Sequence, residues 1–144
     1  TTLFRLSLWR SAVAMVRDHP ITGVGLDQFL YYYPEYILPE ALDEPSLSHP
    51  HNLILDFWLR LGIGGVLLLF WFLVAFFRVS FQLYRRLPEG ETRLMLLGLM
   101  GGMVYTVAHG LVDNSYFVAE LAFVFALSLG LTQRLHLKLE RGRG

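Results

Sequence analysis

The sequence predicts an all-α, multi-pass membrane protein, three transmembrane helices preceded by an exterior helical and loop segment, on three observations. Hydrophobic residues make up 54% of the 144-residue chain and charged ones only 17%, where a soluble globule carries about a quarter. Most of the apolar residues gather in three runs nearly free of charge. Basic residues cluster at the ends of those runs, as cytoplasmic loops require. The same composition excludes other classes. Twelve Lys and Arg balance twelve Asp and Glu, so there is no basic footprint for nucleic acid. With no cysteine, a disulfide framework and a thiolate nucleophile are both excluded. The chain opens on Thr1 without a basic and then apolar leader, and it reads as a piece of something longer.

Residues 1–52 form the exterior segment. Leu3 to Asp18 is an amphipathic helix candidate, with Thr1 or Thr2 as its N-cap and Pro20 as its stop. At about 100° per residue, Arg5, Trp9, Ala12 and Val16 share an arc of roughly 60°. Arg5 is therefore expected on the apolar face, where a guanidinium needs an anionic partner. Arg10 and Arg17 share another face, toward solvent. Gly23 and Gly25 permit a sharp turn. Phe29, Tyr31, Tyr32, Tyr33 and Tyr36 crowd around Pro34 as a short helix or an interfacial belt. Residues 39–50, acidic and broken by prolines, read as a loop.

Residues 53–144 hold the three spans, at about 53–77, 94–112 and 116–131, and a cytoplasmic basic tail. The first is uncharged from Leu61 to Phe77 and reaches Leu53 if Asp56 and Arg60 lie at the membrane interface. His109 is the titratable group of the second run and Glu120 of the third. Arg78, Arg85, Arg86 and Arg93 follow the first run, and Arg134, Lys138, Arg141 and Arg143 follow the third. Spans running inward, outward and inward again put both blocks in the cytoplasm. Residues 1–52 are then exterior, with Asp113-Asn114-Ser115 as an outer turn.

Candidate chemistry concentrates in Ser48-His49-Pro50-His51-Asn52, where the exterior loop meets the first span. A neutral imidazole with a reference pKa of about 6.5 accepts a hydroxyl proton, which makes His51 a candidate general base. Asn52 offers an amide to orient a neighbour. The alternatives are a capping or interfacial role, or metal binding by His49 and His51 with His19, although His-x-His lacks an established zinc spacing. The planar fork of Arg5 suits phosphate or carboxylate, or a structural ion pair with Glu40, Asp43 or Glu44. His109 and Asp113, four residues apart, share one helix face, and Glu120 lies about a turn into the third run. These three either orient Arg5 or His51 or close the outer hairpin. Gly62, Gly64 and Gly65 read as close helix approach.

Together these residues resemble the O-antigen ligase family. His51-Asn52, nine residues and then Gly62-Ile63-Gly64-Gly65 match its pattern H-[NSQ]-x9-G-x-x-[GTY]. Arg5-Leu6-Ser7-Leu8-Trp9 followed by Asp18-His19-Pro20-Ile21-Thr22-Gly23-Val24-Gly25 resembles its outer-loop entry, with Trp9 standing where R-x-x-x-L has leucine, so that Arg10 is the second candidate for the arginine. The resemblance runs from about residue 2 to residue 131. It implies an inverting glycosyl transfer without metal or other cofactor, at the periplasmic face of a bacterial inner membrane. The donor is then an undecaprenyl-diphosphate-linked glycan and the acceptor a glycolipid or other hydroxyl. It further implies Arg5 on the leaving diphosphate with Arg10 and Asn52 as substrate contacts, and His51 as the base. His109, Asp113 and Glu120 would lie behind them. Family members have further N-terminal membrane helices, without which the isolated chain is expected to be inactive. O-antigen polymerisation and O-oligosaccharide transfer to protein are sister activities, and a non-catalytic scaffold or transporter module or a metal-dependent hydrolase are the competing classes.

Overall fold

Helix α1 (Thr2–Asp18) forms because its apolar residues recur at helical spacing, and it ends just before Pro20. It buries Leu8, Ala12, Met15 and Val16. Arg5 shares the angle of buried Ala12 and Val16 but stands before Ser7, where burial on this helix begins, and it is exposed rather than packed. The computed structural model describes residues 2–42, 46–113, 126–135 and 137. Every regular element among them is helical. By contact the chain divides into two units, Thr1–Phe70 with His109–Ser115 and Trp71–Ala108 with Tyr116–Gly144.

In the first unit, α1 packs on α2 (Phe29–Tyr36). Phe29 and Tyr33 stack with ring centroids 5.2 Å apart and join Leu59 in the core around α1. The aromatic stretch is thus a short helix with one face in the core, while Tyr31 stays 71% exposed. A 3-10 turn follows at Pro39–Ala41.

Helix α3 (Leu53–Arg86) is broken at Gly62, whose φ of 67° and ψ of −162° are non-helical. A straight helix would bond the Ile63 N–H to the Leu59 carbonyl. Here the segment after Pro20 satisfies both groups: Ile63 N–H donates to the Ile21 carbonyl at 3.2 Å, and the Leu59 carbonyl accepts Val24 N–H at 2.7 Å and Gly25 N–H at 3.1 Å. The Trp58 indole N–H adds a bond to the Pro20 carbonyl at 2.8 Å. Contact is so close that a Cβ on Gly62 would lie 1.8 Å from the Ile21 oxygen, and one on Gly23 2.3 Å from the Leu59 oxygen. The two glycine motifs are therefore the two halves of one joint.

In the second unit, α3 continues past the expected end at residue 77. Arg78, Arg85 and Arg86 extend it, and it stops before Pro88, which disfavours helix in the preceding residue. Helix α4 (Glu91–Gly110) follows, and residues 126–135 are helical. Phe76 packs with Met103 and Leu129, and Leu83 with Leu96 and Leu135. Moving along α3 thus runs backward along α4 and forward along 126–135, so α4 is antiparallel to α3 and the last stretch parallel to it.

Of the three expected spans, α3 alone is long and apolar enough to cross a membrane among the described residues. Residues 63–86 of it are about 36 Å long at 1.5 Å per residue. Helix α4 starts three residues before the expected second span and stops two short of its end. Most of the third span, residues 116–125, lies outside the described residues, as do Asn114, Ser115, Glu120, Lys138, Arg141 and Arg143. Asp56 and Arg60, at the start of α3, are buried in the protein.

Candidate functional site

The loop that carries His51 is fixed from several directions. Asn52 caps α3: its Oδ1 accepts the Ile54 and Leu55 amides, each at 3.1 Å, and its Nδ2 donates to the Leu111 carbonyl at 2.9 Å. The amide that sequence reading offers to a substrate is thus engaged in positioning the helix and the turn after α4. Trp9, the departure from the family's leucine, donates its indole N–H to the Pro50 carbonyl at 3.1 Å and so ties α1 to the residue before His51. His51 itself has φ 50°, a left-handed conformation that histidine tolerates better than most residues.

On this frame, His51 Nδ1 lies 2.8 Å from Asp113 Oδ1. Asp113 stands just past α4, where its amide and that of Val112 bond the His109 carbonyl. The hydrogen bond from His51 is the largest influence holding the Asp113 carboxyl below the usual carboxylate range, and the charges of His51, Arg5 and His109 act in the same direction against burial. An ionised carboxylate only accepts, so Nδ1 is the donor of this pair. Of these groups, His51 contacts Asp113 directly. Arg10 is exposed on α1, about 140° round the helix from Arg5.

His49 completes the cluster. Its ring centroid is 4.3 Å from that of His51 and its Nδ1 is 3.0 Å from Ser48 Oγ. Its Nε2 is buried with no hydrogen-bond partner among the described residues. Burial, then the neighbouring His51 and Arg60, push the His49 imidazole below its ordinary value, with Asp113 opposing. His19 packs edge-on against Tyr32, 5.6 Å between centroids. Among the described residues no three His, Asp or Glu side chains are placed to share a metal ion.

Sequence reading missed an ion network with two buried members and one exposed one, Asp27. Arg60 Nε donates to Asp56 Oδ1 at 2.8 Å, and its Nη1 bonds Asp27. Arg60 is 9% exposed and Asp56 1%. Charges four residues apart inside an apolar run were the available signal. The network pins the turn at Asp27 onto α3 next to the glycine joint.

Compared with known proteins, residues 1–70 match the family model for O-antigen ligase, and the match ends where the continuous part of the first unit ends. No curated protein and no solved structure matches the chain.

Proposed function

Because residues 1–70 match the family model for O-antigen ligase, we propose that the whole protein transfers a glycan from an undecaprenyl-diphosphate-linked donor to an acceptor hydroxyl, with inversion and without a metal. Membrane association and O-antigen ligase-like or polymerase-like function follow from the family itself. The finer reading is carried by one observation, the His51 to Asp113 hydrogen bond across 62 residues of sequence. It supports a ring oriented with Nδ1 toward Asp113, which leaves Nε2 as the atom to take the acceptor proton.

In the proposed step, His51 Nε2 takes the acceptor hydroxyl proton as the oxygen bonds to the anomeric carbon. The bond from that carbon to the diphosphate oxygen breaks, and the electron pair leaves with the diphosphate. Arg5, always cationic, stabilises that negative charge without giving up a proton. Asp113 balances the imidazolium formed on His51. Ligase, polymerase and protein-modifying versions share this chemistry and differ in the acceptor. The site region is exterior in this scheme, on the periplasmic face.

The test is His51→Ala in the full-length protein, assayed for glycan attachment in membranes. Attachment is expected to fall by about 10²–10⁴, the usual share of a general base, with expression unchanged. Undiminished attachment at equal expression overturns the proposal.

A further inference from the structure

A second polar feature lies in the other unit, remote in sequence from the histidines. Arg78, Phe81, Gln82 and Arg85 line a shallow groove of about 400 Å³. The four are exposed and, at intervals of three and four residues, share one face of α3. No acidic side chain pairs with Arg78 or Arg85 among the described residues. Arg93 differs: it reaches Glu89 at 4.0 Å and covers the Tyr84 ring at 4.2 Å. Two guanidinium groups without an acidic partner among the described residues, beside an amide donor, are complementary to an anion with several acceptor oxygens.

The same face identifies which anion. Continuing up α3 at the same spacing are Val74, 63% exposed, and Trp71, 62% exposed. From Arg78 to Trp71 the helix rises about 10 Å, two-thirds of the depth of one leaflet's hydrocarbon, about 15 Å. An apolar stripe that gives way to open arginines near the end of a helix able to span a membrane has the polarity profile of one lipid molecule. A soluble phosphate compound would have no use for Trp71 and Val74.

We infer that this face of α3 binds an anionic phospholipid, its phosphodiester held between Arg78 and Arg85 with Gln82 donating and its acyl chains along Val74 and Trp71. Phe81, midway between the two arginines, lies beside the phosphodiester. The site stands on the membrane association of the chain alone and does not depend on the proposed glycosyl transfer.

The experiment reconstitutes the full-length protein in vesicles of equal parts phosphatidylglycerol and phosphatidylcholine, extracts it in mild detergent, and weighs the retained lipid by native mass spectrometry. The wild type is expected to retain phosphatidylglycerol in preference. Arg78→Gln and Arg85→Gln should each cut that preference roughly fivefold and the double variant about 30-fold. Arg78→Lys with Arg85→Lys keeps both charges and should keep most of the preference, while Arg93→Gln should leave it unchanged. Three results overturn the inference: the double glutamine variant retains phosphatidylglycerol like the wild type, Arg93→Gln costs as much as the double variant, or soluble glycerol phosphate displaces the lipid, making the phosphate alone the ligand.

Discussion

The two units are held together by different physics. In the first, an apolar core around Leu8, Met15, Phe29 and Leu59 is joined by directed polar contacts: the exchange of backbone bonds around Gly62, the Asn52 cap, the Asp27, Arg60 and Asp56 network, and the His51 to Asp113 bond. In the second, Phe76, Met103, Leu83 and Leu96 pack as side-chain layers, and the buried Ser80 and Thr132 hydroxyls have no hydrogen-bond partner among the described residues. Apolar layers set helix direction but tolerate small shifts. Directed bonds fix atoms to within tenths of an ångström, which chemistry at a proton-transfer site requires.

Glycines give the sharpest contrast between the units. Gly62→Ala puts a methyl group onto the Ile21 carbonyl in a left-handed backbone and should cost about 3 kcal/mol or more. Gly98→Ala in α4 meets nothing within 4 Å and should gain up to about 1 kcal/mol from helix propensity. Thermal unfolding of the full-length protein in detergent checks both signs. Equal effects would mean that the joint is no tighter than the bundle.

A smaller effect separates the units by pH. Burial and its cationic neighbours keep the His49 imidazole below its ordinary value, so the folded chain resists a proton that the unfolded chain accepts below about pH 6.5. Stability should therefore fall as pH drops from about 6.5 toward the lowered folded value, and the loss should be local to the first unit. Hydrogen exchange of the 46–60 segment, compared between wild type and His49→Gln, is the measurement. The variant should lose the acid sensitivity, and an unchanged slope would assign it to another group.

How much of this was legible in the sequence follows the same division. The helix stop at Pro20, the apolar run after Leu61, and the spacing from His51 to Gly62 are local patterns, and they read directly. The break at Gly62 was not legible, because its cause is a segment 40 residues earlier that takes over the freed bonds. Arg5 is exposed although it shares the angle of buried Ala12 and Val16, because a helical wheel carries angle and not how far along the helix the core extends. Asp113 was named only as one of three acids or histidines near an outer turn. Its choice of His51 depends on how α4 ends, which spacing does not carry. Asn52 was read as a free amide because capping and ligand contact use the same side-chain atoms.

The central claim is that His51 and Asp113 act as one unit, and a double-mutant cycle on glycan attachment tests it most directly. In the full-length protein, Asp113→Asn should lower the rate when His51 is present and change it little in the His51→Ala background, giving a coupling well above about 1 kcal/mol. If the two losses simply add, the hydrogen bond is structural and the assignment of His51 as an oriented base is wrong.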